Sequence, residues 1–321
     1  MAQRVLTGIK PTGMPHIGNL LGMYRPALAM QDGSEGYFFV ASYHALTTIR
    51  DPQLLRSQTI DVAANWLALG LDPTKSVIWA QHDVPEVCEL AWILSCITSK
   101  GMMDKAHAFK DAVAKGRDVN IGVYTYPILM AADILAFDSH VVPVGKDQKQ
   151  HVEMARDMAQ RFNHLFGDTL VVPEPLIRSD AATVPGLDGQ KMSKSYGNTI
   201  EIFLPPKKLR KKIMSIVTDS KGVDDPKDPE TCNVFGLYTL FATADQQTEL
   251  AERYRAGGLG YGHAKQALFD VVNEQIADSR DRYDHLMAHP NEVRSILEDG
   301  ASRARKTARA TLDRVRSASG L

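Results

Sequence analysis

The chain has 321 residues, enough for two domains at ~100–200 residues each. Apolar residues make up 44% and charged residues 23%, a globular balance that excludes collagen-like, low-complexity and largely disordered chains. Lys plus Arg total 37 against 38 Asp plus Glu, a net charge of −1, so a nucleic-acid partner has to be met by a local basic patch. Apolar runs such as Tyr37–Ala41 are far too short for a membrane span, and Met1–Thr7 carries no signal-peptide pattern. Cys88, Cys96 and Cys232 form no C-x-x-C pair and read as reduced thiols of a cytoplasmic protein.

In chain order, Arg4–Thr7 reads as a short strand, and Lys10-Pro11-Thr12-Gly13 has turn chemistry. A helix is predicted from about Ile17 to Met30, and the aromatic-rich run Tyr37–Ser42 is a buried strand. Asp51-Pro52 starts a helix as N-cap and first helical residue; Leu55, Thr59, Val62, Ala63, Trp66 and Leu67 share one face, and Gly70 ends it. Ser76–Ala80 is a strand and about Glu86–Ser99 a helix; Val141–Val144 is a strand running into Gly145, and Asp147–Phe162 a helix. Strands alternating with helices predict a parallel sheet covered on both faces, with ligands beyond the carboxyl ends of its strands. Three junctions stand out on that rule: Gly8–Asn19, Ser42–Thr48 and Gly145–Gln148. After about Pro205 only helices are predicted, at Pro206–Val217, Val234–Phe241, Gln247–Tyr254, Gly262–Met287 and Asn291–Ser317, with a break at Gly257–Gly262. The expected organisation is an α/β domain over 1–205 and a helical domain over 206–321, whose last helix packs back on the first.

Pro15-His16-Ile17-Gly18-Asn19 follows the first strand and turn. A helix N-terminus there attracts phosphate, Gly18 lets a nucleotide come close to the backbone, and His16 can donate to a phosphate oxygen. A histidine near a helix start with no role is the plain alternative. Lys191-Met192-Ser193-Lys194-Ser195 follows Gly186-Leu187-Asp188-Gly189 and reads as a mobile loop. Two ammonium groups three residues apart on such a loop can close over a triphosphate and neutralise a departing pyrophosphate; the plain alternative is a solvated basic turn. No G-x-x-x-x-G-K-[ST] and no G-x-G-x-x-G occurs, so a P-loop or dinucleotide site has no support.

H-x-G-N at the first strand–helix turn, followed by K-M-S-K-S, resembles the class I aminoacyl-tRNA synthetases. The resemblance implies a Rossmann-like catalytic domain that makes an aminoacyl-adenylate from Mg²⁺-ATP and transfers the aminoacyl group to tRNA. Gly145-Lys146-Asp147-Gln148 joins a strand to a helix; Asp147 can accept from ribose hydroxyls, or simply cap the helix, and Gln148 can bind an amino-acid amine or carboxylate. This G-x-D-Q pattern is similar to the tyrosine and tryptophan branch of the family. Tyr126, Met130 and Asp133 lie on one face of the helix in Tyr124–Asp133. An indole has one N–H donor and no acceptor, so its pocket needs an apolar wall, Met130, and one acceptor, Asp133. The tyrosine branch typically has Gln at the position of Met130, and the resemblance therefore favours the tryptophan members; an ordinary core helix is the plain alternative.

On that resemblance Lys10, Pro11, Thr12, Gly18, Asn19, Gly145, Lys146, Asp147, Val184 and Lys191–Ser195 (Lys191, Met192, Ser193, Lys194, Ser195) surround ATP. Tyr126, Met130, Asp133, Gln148 and His44 surround L-tryptophan, and His16, Asn19, Lys191 and Lys194 carry the catalysis. It also implies tRNA(Trp) as partner, a homodimer, no membrane and a cytoplasmic location. The chain departs from the family at Lys10, where many relatives have Gln, in the run Ala41–Thr47, in the short stretch Arg178–Lys191, and at Ala112 in place of a lysine, for which Lys115 can stand in. It has no cysteine cluster of the kind that holds iron–sulfur in some relatives. Two basic runs, Lys207–Lys212 and Arg303–Arg316, suit tRNA phosphates or are solvated helix faces. Tyrosyl-tRNA synthetase, a small-molecule nucleotidylyltransferase and a non-catalytic tRNA-binding relative are the rival readings.

Overall fold

The computed structural model describes residues 3–11, 13–106, 120–145, 148–177 and 184–321. The chain divides into two compact units. One comprises Met1–Gly13, Ala27–Asp180 and His289–Leu321; the other comprises Met14–Pro26 and Ala181–Ala288. The cut differs from the boundary expected at residue 205. The segment after the sheet already belongs to the second unit, a short early segment joins it, and the last helix belongs to the first.

The first unit is built on a five-stranded sheet: β1 (Arg4–Ile9), β2 (Glu35–Val40), β3 (Val77–Ala80), β4 (Val141–Val144) and β5 (Glu174–Ile177), in the order β3-β2-β1-β4-β5. Every pairing is parallel, with Val5 opposite both Gly36 and Val141. The order reverses at β1, so the crevice between the carboxyl ends of β1 and β4 is the topological switch point. Period-2 alternation sorts the sheet's side chains. Leu6, Tyr37, Phe39, Val77, Trp79 and Val142 enter one apolar core with the helices Glu86–Ile97, Ile121–Leu135, Lys149–Phe166 and Pro290–Ser319. Phe38 points the other way and meets Trp66 of the Pro52–Ala68 helix edge-on, ring centroids 4.9 Å apart. That helix starts as its sequence dictates: the Asp51 carboxylate accepts from the amides of Gln53 and Leu54, and Pro52 takes the first helical position.

Fully buried aromatic side chains typically contribute about 1.5–3 kcal/mol each, which makes Phe38, Trp66 and Trp79 the main anchors of the sheet. The edge at β3 is closed by the last helix. A Cβ on Gly300 would stand 1.8 Å from the carbonyl oxygen of Ile78, so only glycine lets Pro290–Ser319 lie against the β3 backbone and shield that edge. The helix is then fastened by charge. Arg305 and Arg309 share the buried carboxylate of Glu86, Arg314 pairs with Asp138, and Arg316 with Glu89.

The opposite edge strand, β5, is absent from the sequence reading because Pro173 and Pro175 interrupt its pattern; an edge strand tolerates proline, since one side of its backbone needs no partner. The helix predicted over Ile17–Met30 is instead three pieces, Ile17–Asn19, a π-turn at Leu20–Tyr24, and Arg25–Leu28, and the wide turn keeps Leu20, Tyr24 and Ala27 all buried. The strand predicted to Ser42 stops at Val40, and Ser42–Ala45 is a helical turn; the helix predicted over Asp147–Phe162 runs over Lys149–Phe166.

The second unit is helical, with Pro206–Met214, Asn233–Tyr238, Ala244–Ala256 and Tyr261–Ala288 close to their predicted places. Its N-terminal piece is tied in by backbone and ring contacts. The Ile17 amide donates to the Ile200 carbonyl at 2.9 Å and the Ile202 amide to the Pro15 carbonyl at 3.2 Å, so His16 and Glu201 form an antiparallel bridge. Arg25 lies over the Phe241 ring and donates to Gln275 Oε1.

Candidate active site

In the first unit the carboxyl ends of the strands deliver polar side chains to one place. His44 follows β2, Gln81 follows β3 and Gln148 follows β4. Asp133, only 1% exposed, projects from the Ile121–Leu135 helix into this group. The His44 Nε2–H donates to Asp133 Oδ2 at 2.9 Å, and the Gln81 amide donates to both carboxylate oxygens, at 2.7 and 2.9 Å. Gln81 is itself aimed, because its Oε1 accepts from the Tyr43 amide at 2.9 Å. A carboxylate has about four acceptor positions, and these bonds use three. Burial pushes the Asp133 carboxyl above its ordinary range, against the pull of His44 and Gln81.

Beside it, His151 Nδ1 and Gln148 Oε1 are 3.0 Å apart. The amide oxygen can only accept, so Nδ1 carries the proton and Nε2 accepts from the Tyr126 hydroxyl at 2.6 Å. The Tyr126 ring stands edge-on to His44, and half-buried Met130 packs on the core beside them. The result is a single buried acid held by His44 and Gln81, with the Tyr126 ring beside them and one acceptor position left over. Lys10, at the end of β1, donates to Thr47 Oγ1 at 3.0 Å, and burial pushes its ammonium below the usual lysine range.

In the second unit the two signature motifs meet. His16 is buried, its backbone amide donates to Asn19 Oδ1 at 3.1 Å, and no hydrogen-bond partner among the described residues reaches its Nδ1. Gly18 makes room for the imidazole: a Cβ there would stand 3.0 Å from the ring, and 3.6 Å from Met192 of the loop. The loop is pinned from inside by Asn198, which is 4% exposed. Its Oδ1 accepts from the Ser193 amide at 2.8 Å, and its Nδ2 donates to Asp188 Oδ1 at 2.7 Å and to the Lys191 carbonyl at 3.2 Å. Met192 is buried and its amide donates to the Val184 carbonyl, while Lys191, Lys194 and Ser195 stay exposed. Lys194 sits on a short 3₁₀ turn, Lys194–Tyr196. A buried methionine and a buried asparagine thus anchor a loop that presents its two ammonium groups to solvent.

The imidazole of His16 is pushed down to about 4, first by burial, then by the charge of Lys194, with Glu201 pulling the other way. It is therefore neutral at pH 7 and keeps an acceptor nitrogen and an N–H donor. Between pH 6.5 and 4 the unfolded chain takes up this proton and the folded chain does not, so stability is lost as pH falls through that window. His16→Gln removes the linkage. In calorimetry at pH 7 and pH 5, the melting temperature of the variant should fall less than that of the parent. An equal fall would show that the histidine titrates ordinarily.

Of the residues assigned from sequence to ATP, Lys10, Pro11 and Gly145 belong to the first unit, and Gly18, Asn19, Val184 and Lys191–Ser195 to the second. Thr12, Lys146 and Asp147 lie outside the described residues. The set assigned to tryptophan, His44, Tyr126, Met130, Asp133 and Gln148, comes together in the first unit. Within this set His44 is the residue that donates to Asp133. Gln81, His151 and Asn198 were missed. Gln81 sits at the carboxyl end of β3, where the strand-end rule points as firmly as it does at the three junctions it singled out.

A family model described as tRNA synthetases class I (W and Y) matches residues 2–277. The tryptophan–tRNA ligase of Rhodopirellula baltica is 49% identical over 318 residues, 99% of this chain and 99% of that protein. That of Campylobacter jejuni is 47% identical over 318 residues, 99% of this chain and 100% of the relative. The crystal structure of tryptophanyl-tRNA synthetase from Campylobacter jejuni complexed with ADP and tryptophan is 47% identical, with a TM-score of 0.96 over 99% of this chain and 100% of that one. The enzyme from Mycoplasma pneumoniae, 29% identical, has a TM-score of 0.82 over 100% of this chain and 98% of that one. The parallel sheet, the H-x-G-N and K-M-S-K-S segments and these full-length matches together mean that the chain belongs to the class I tRNA synthetases of the tryptophan and tyrosine family, among its tryptophan–tRNA ligases.

Proposed function

We propose that this chain activates L-tryptophan with ATP and charges tRNA(Trp). In the first step a carboxylate oxygen of tryptophan attacks the α-phosphorus of ATP. The new O–P bond forms as the bond to the β-phosphate oxygen breaks, giving tryptophanyl-adenylate and pyrophosphate. In the second step a hydroxyl at the 3′ end of the tRNA takes the tryptophanyl group and AMP leaves. A carboxylate is already a nucleophile at neutral pH, so the chain's contribution is position and charge rather than a general base. Asp133 accepts the indole N–H in its remaining acceptor position, Met130 and Tyr126 flank the ring, and Gln148 holds the amino-acid backbone. Neutral His16 and Asn19 donate to the phosphates, and Lys191 and Lys194 stabilise the leaving pyrophosphate.

The single observation that carries this reading is the buried Asp133 with Gln81 and His44 fixed on it: a buried acid with one acceptor position left favours a ring with one donor. Among the described residues no three His, Cys, Asp or Glu side chains are grouped to hold a metal ion. Mg²⁺ would come with ATP as part of the substrate and would supply charge neutralisation at its phosphates. The helical unit reads the anticodon, and the enzyme works as a cytoplasmic homodimer; family resemblance supports both statements. Among the described residues no helix is long and apolar enough to cross a membrane.

The decisive experiment is ATP–pyrophosphate exchange with tryptophan, tyrosine and phenylalanine separately. Exchange with tryptophan alone is expected, and exchange with tyrosine or with none of the three would overturn the assignment.

A further inference from the structure

The two basic runs have different fates in the fold. In the last helix the cations are largely occupied at home. Arg303 donates to the Pro73 carbonyl at 2.7 Å, Arg305 and Arg309 share Glu86, Arg314 holds Asp138 and Arg316 holds Glu89. That run is a clasp for its own helix. The run on Pro206–Met214 is the opposite case. Leu209 and Ile213 are buried and anchor one face. Arg210 is committed to Gln266 and Lys212 to Glu201. Lys207, Lys208 and Lys211 are exposed, and no carboxylate among the described residues pairs with them.

Their placement works against the helix that carries them. Lys207 and Lys208 stand in the first turn, at the positive end of the helix dipole, and that turn contains no acid. Lys207 with Lys211, and Lys208 with Lys212, are like-charge pairs one turn apart. A helix stabilised only for itself would carry Asp or Glu at these sites. A polyanion laid on this face removes both penalties at once, and Lys207 and Lys211 are spaced by about one helical turn, ~5.4 Å, suiting consecutive phosphates of a strand.

We propose that Lys207, Lys208 and Lys211 form the phosphate-contact face for the tRNA and that the arginines of the last helix do not. The proposal rests on the reading of the chain as a tRNA ligase. The test is direct binding of a fluorescent tRNA(Trp) transcript to the full-length protein by anisotropy, from 50 to 250 mM KCl. Replacing the three lysines together by Gln is expected to weaken binding about thirty-fold at 150 mM salt, and to flatten the slope of log Kd against log salt by two to three. Replacing the same three by Arg should restore both. Lys306→Gln combined with Arg309→Gln, in the last helix, should leave both within twofold. Unchanged affinity in the Gln variant, failure of the Arg variant to restore it, or an equal loss in the last-helix variant would overturn the assignment. Pyrophosphate exchange by the parent protein is read in parallel: tRNA binding lost in the Gln variant while the parent shows no exchange would sink the ligase reading and leave the phosphate face standing.

Discussion

Asp133→Asn is expected to lower kcat/KM for tryptophan in pyrophosphate exchange by about a thousand-fold without lowering the melting temperature at pH 7.5. The Asp133 carboxylate accepts three hydrogen bonds from Gln81 and His44, and its remaining acceptor position is the one proposed for the indole N–H. An asparagine amide spends its one oxygen on Gln81 and turns an NH₂ toward the place of the indole N–H. Two donors then face each other in a dry slot, and unpaired buried donors cost about 1–3 kcal/mol apiece; together with the lost charge-assisted bond this amounts to roughly 4 kcal/mol. Stability moves the other way. Burial raises the folded pKa of Asp133 above the unfolded value of 3.8, so the folded state holds this proton more tightly and loses stability as pH rises through that shifted range. A neutral amide carries no such penalty, and His44 can take the other tautomer and accept from the new NH₂ at Nε2, so calorimetry should show an equal or higher melting temperature for the variant. Activity lost in step with stability would make Asp133 a structural acid and remove it from ring selection.

Much of this site could be read from residue order, and the parts that could not share a cause. Local signals carried well. Asp51-Pro52 capped its helix, Gly257 and Gly258 broke the chain with positive φ, and Tyr126, Met130 and Asp133 came out on one helix. What failed depends on partners distant in sequence. Gln81 has no local signature; only Asp133, 52 residues on, gives its amide a purpose. The domain boundary at 205 followed the last strand-like pattern, but Ile17 pairs with Ile200, and that bond draws the H-x-G-N segment into the second unit. Positive charge was legible in both basic runs, yet Glu86, Glu89 and Asp138, the acids that occupy one of them, lie more than 170 residues away. The mobile loop expected at K-M-S-K-S is tethered by Asn198, three residues after it, whose side chain reaches back to Ser193 and Asp188.

Lys194→Ala should reduce the rate of tryptophan-dependent pyrophosphate exchange by about 10²–10³-fold and leave the fold intact. The side chain is exposed on its 3₁₀ turn, and Asn198 and Met192 tether the loop from inside, so the melting temperature should stay within a degree or two. The loss comes from charge that develops on pyrophosphate as its bond to the α-phosphorus breaks. Removing one fixed donor from such a position typically costs about 2.7–4 kcal/mol of transition-state stabilisation. If the ammonium serves the breaking bond more than the bound ground state, as proposed, kcat should fall far more than KM for ATP rises. A second readout comes from His16, whose imidazole is held down partly by the charge of Lys194. Without that charge the histidine must titrate at higher pH, so the window in which stability is lost on acidification narrows. Lys194→Arg keeps the charge on a bulkier head, and should recover most of the His16 shift while recovering only part of the rate. Exchange unchanged in the alanine variant would take Lys194 out of the chemistry, and an unmoved His16 titration would separate the two motifs that this fold brings side by side.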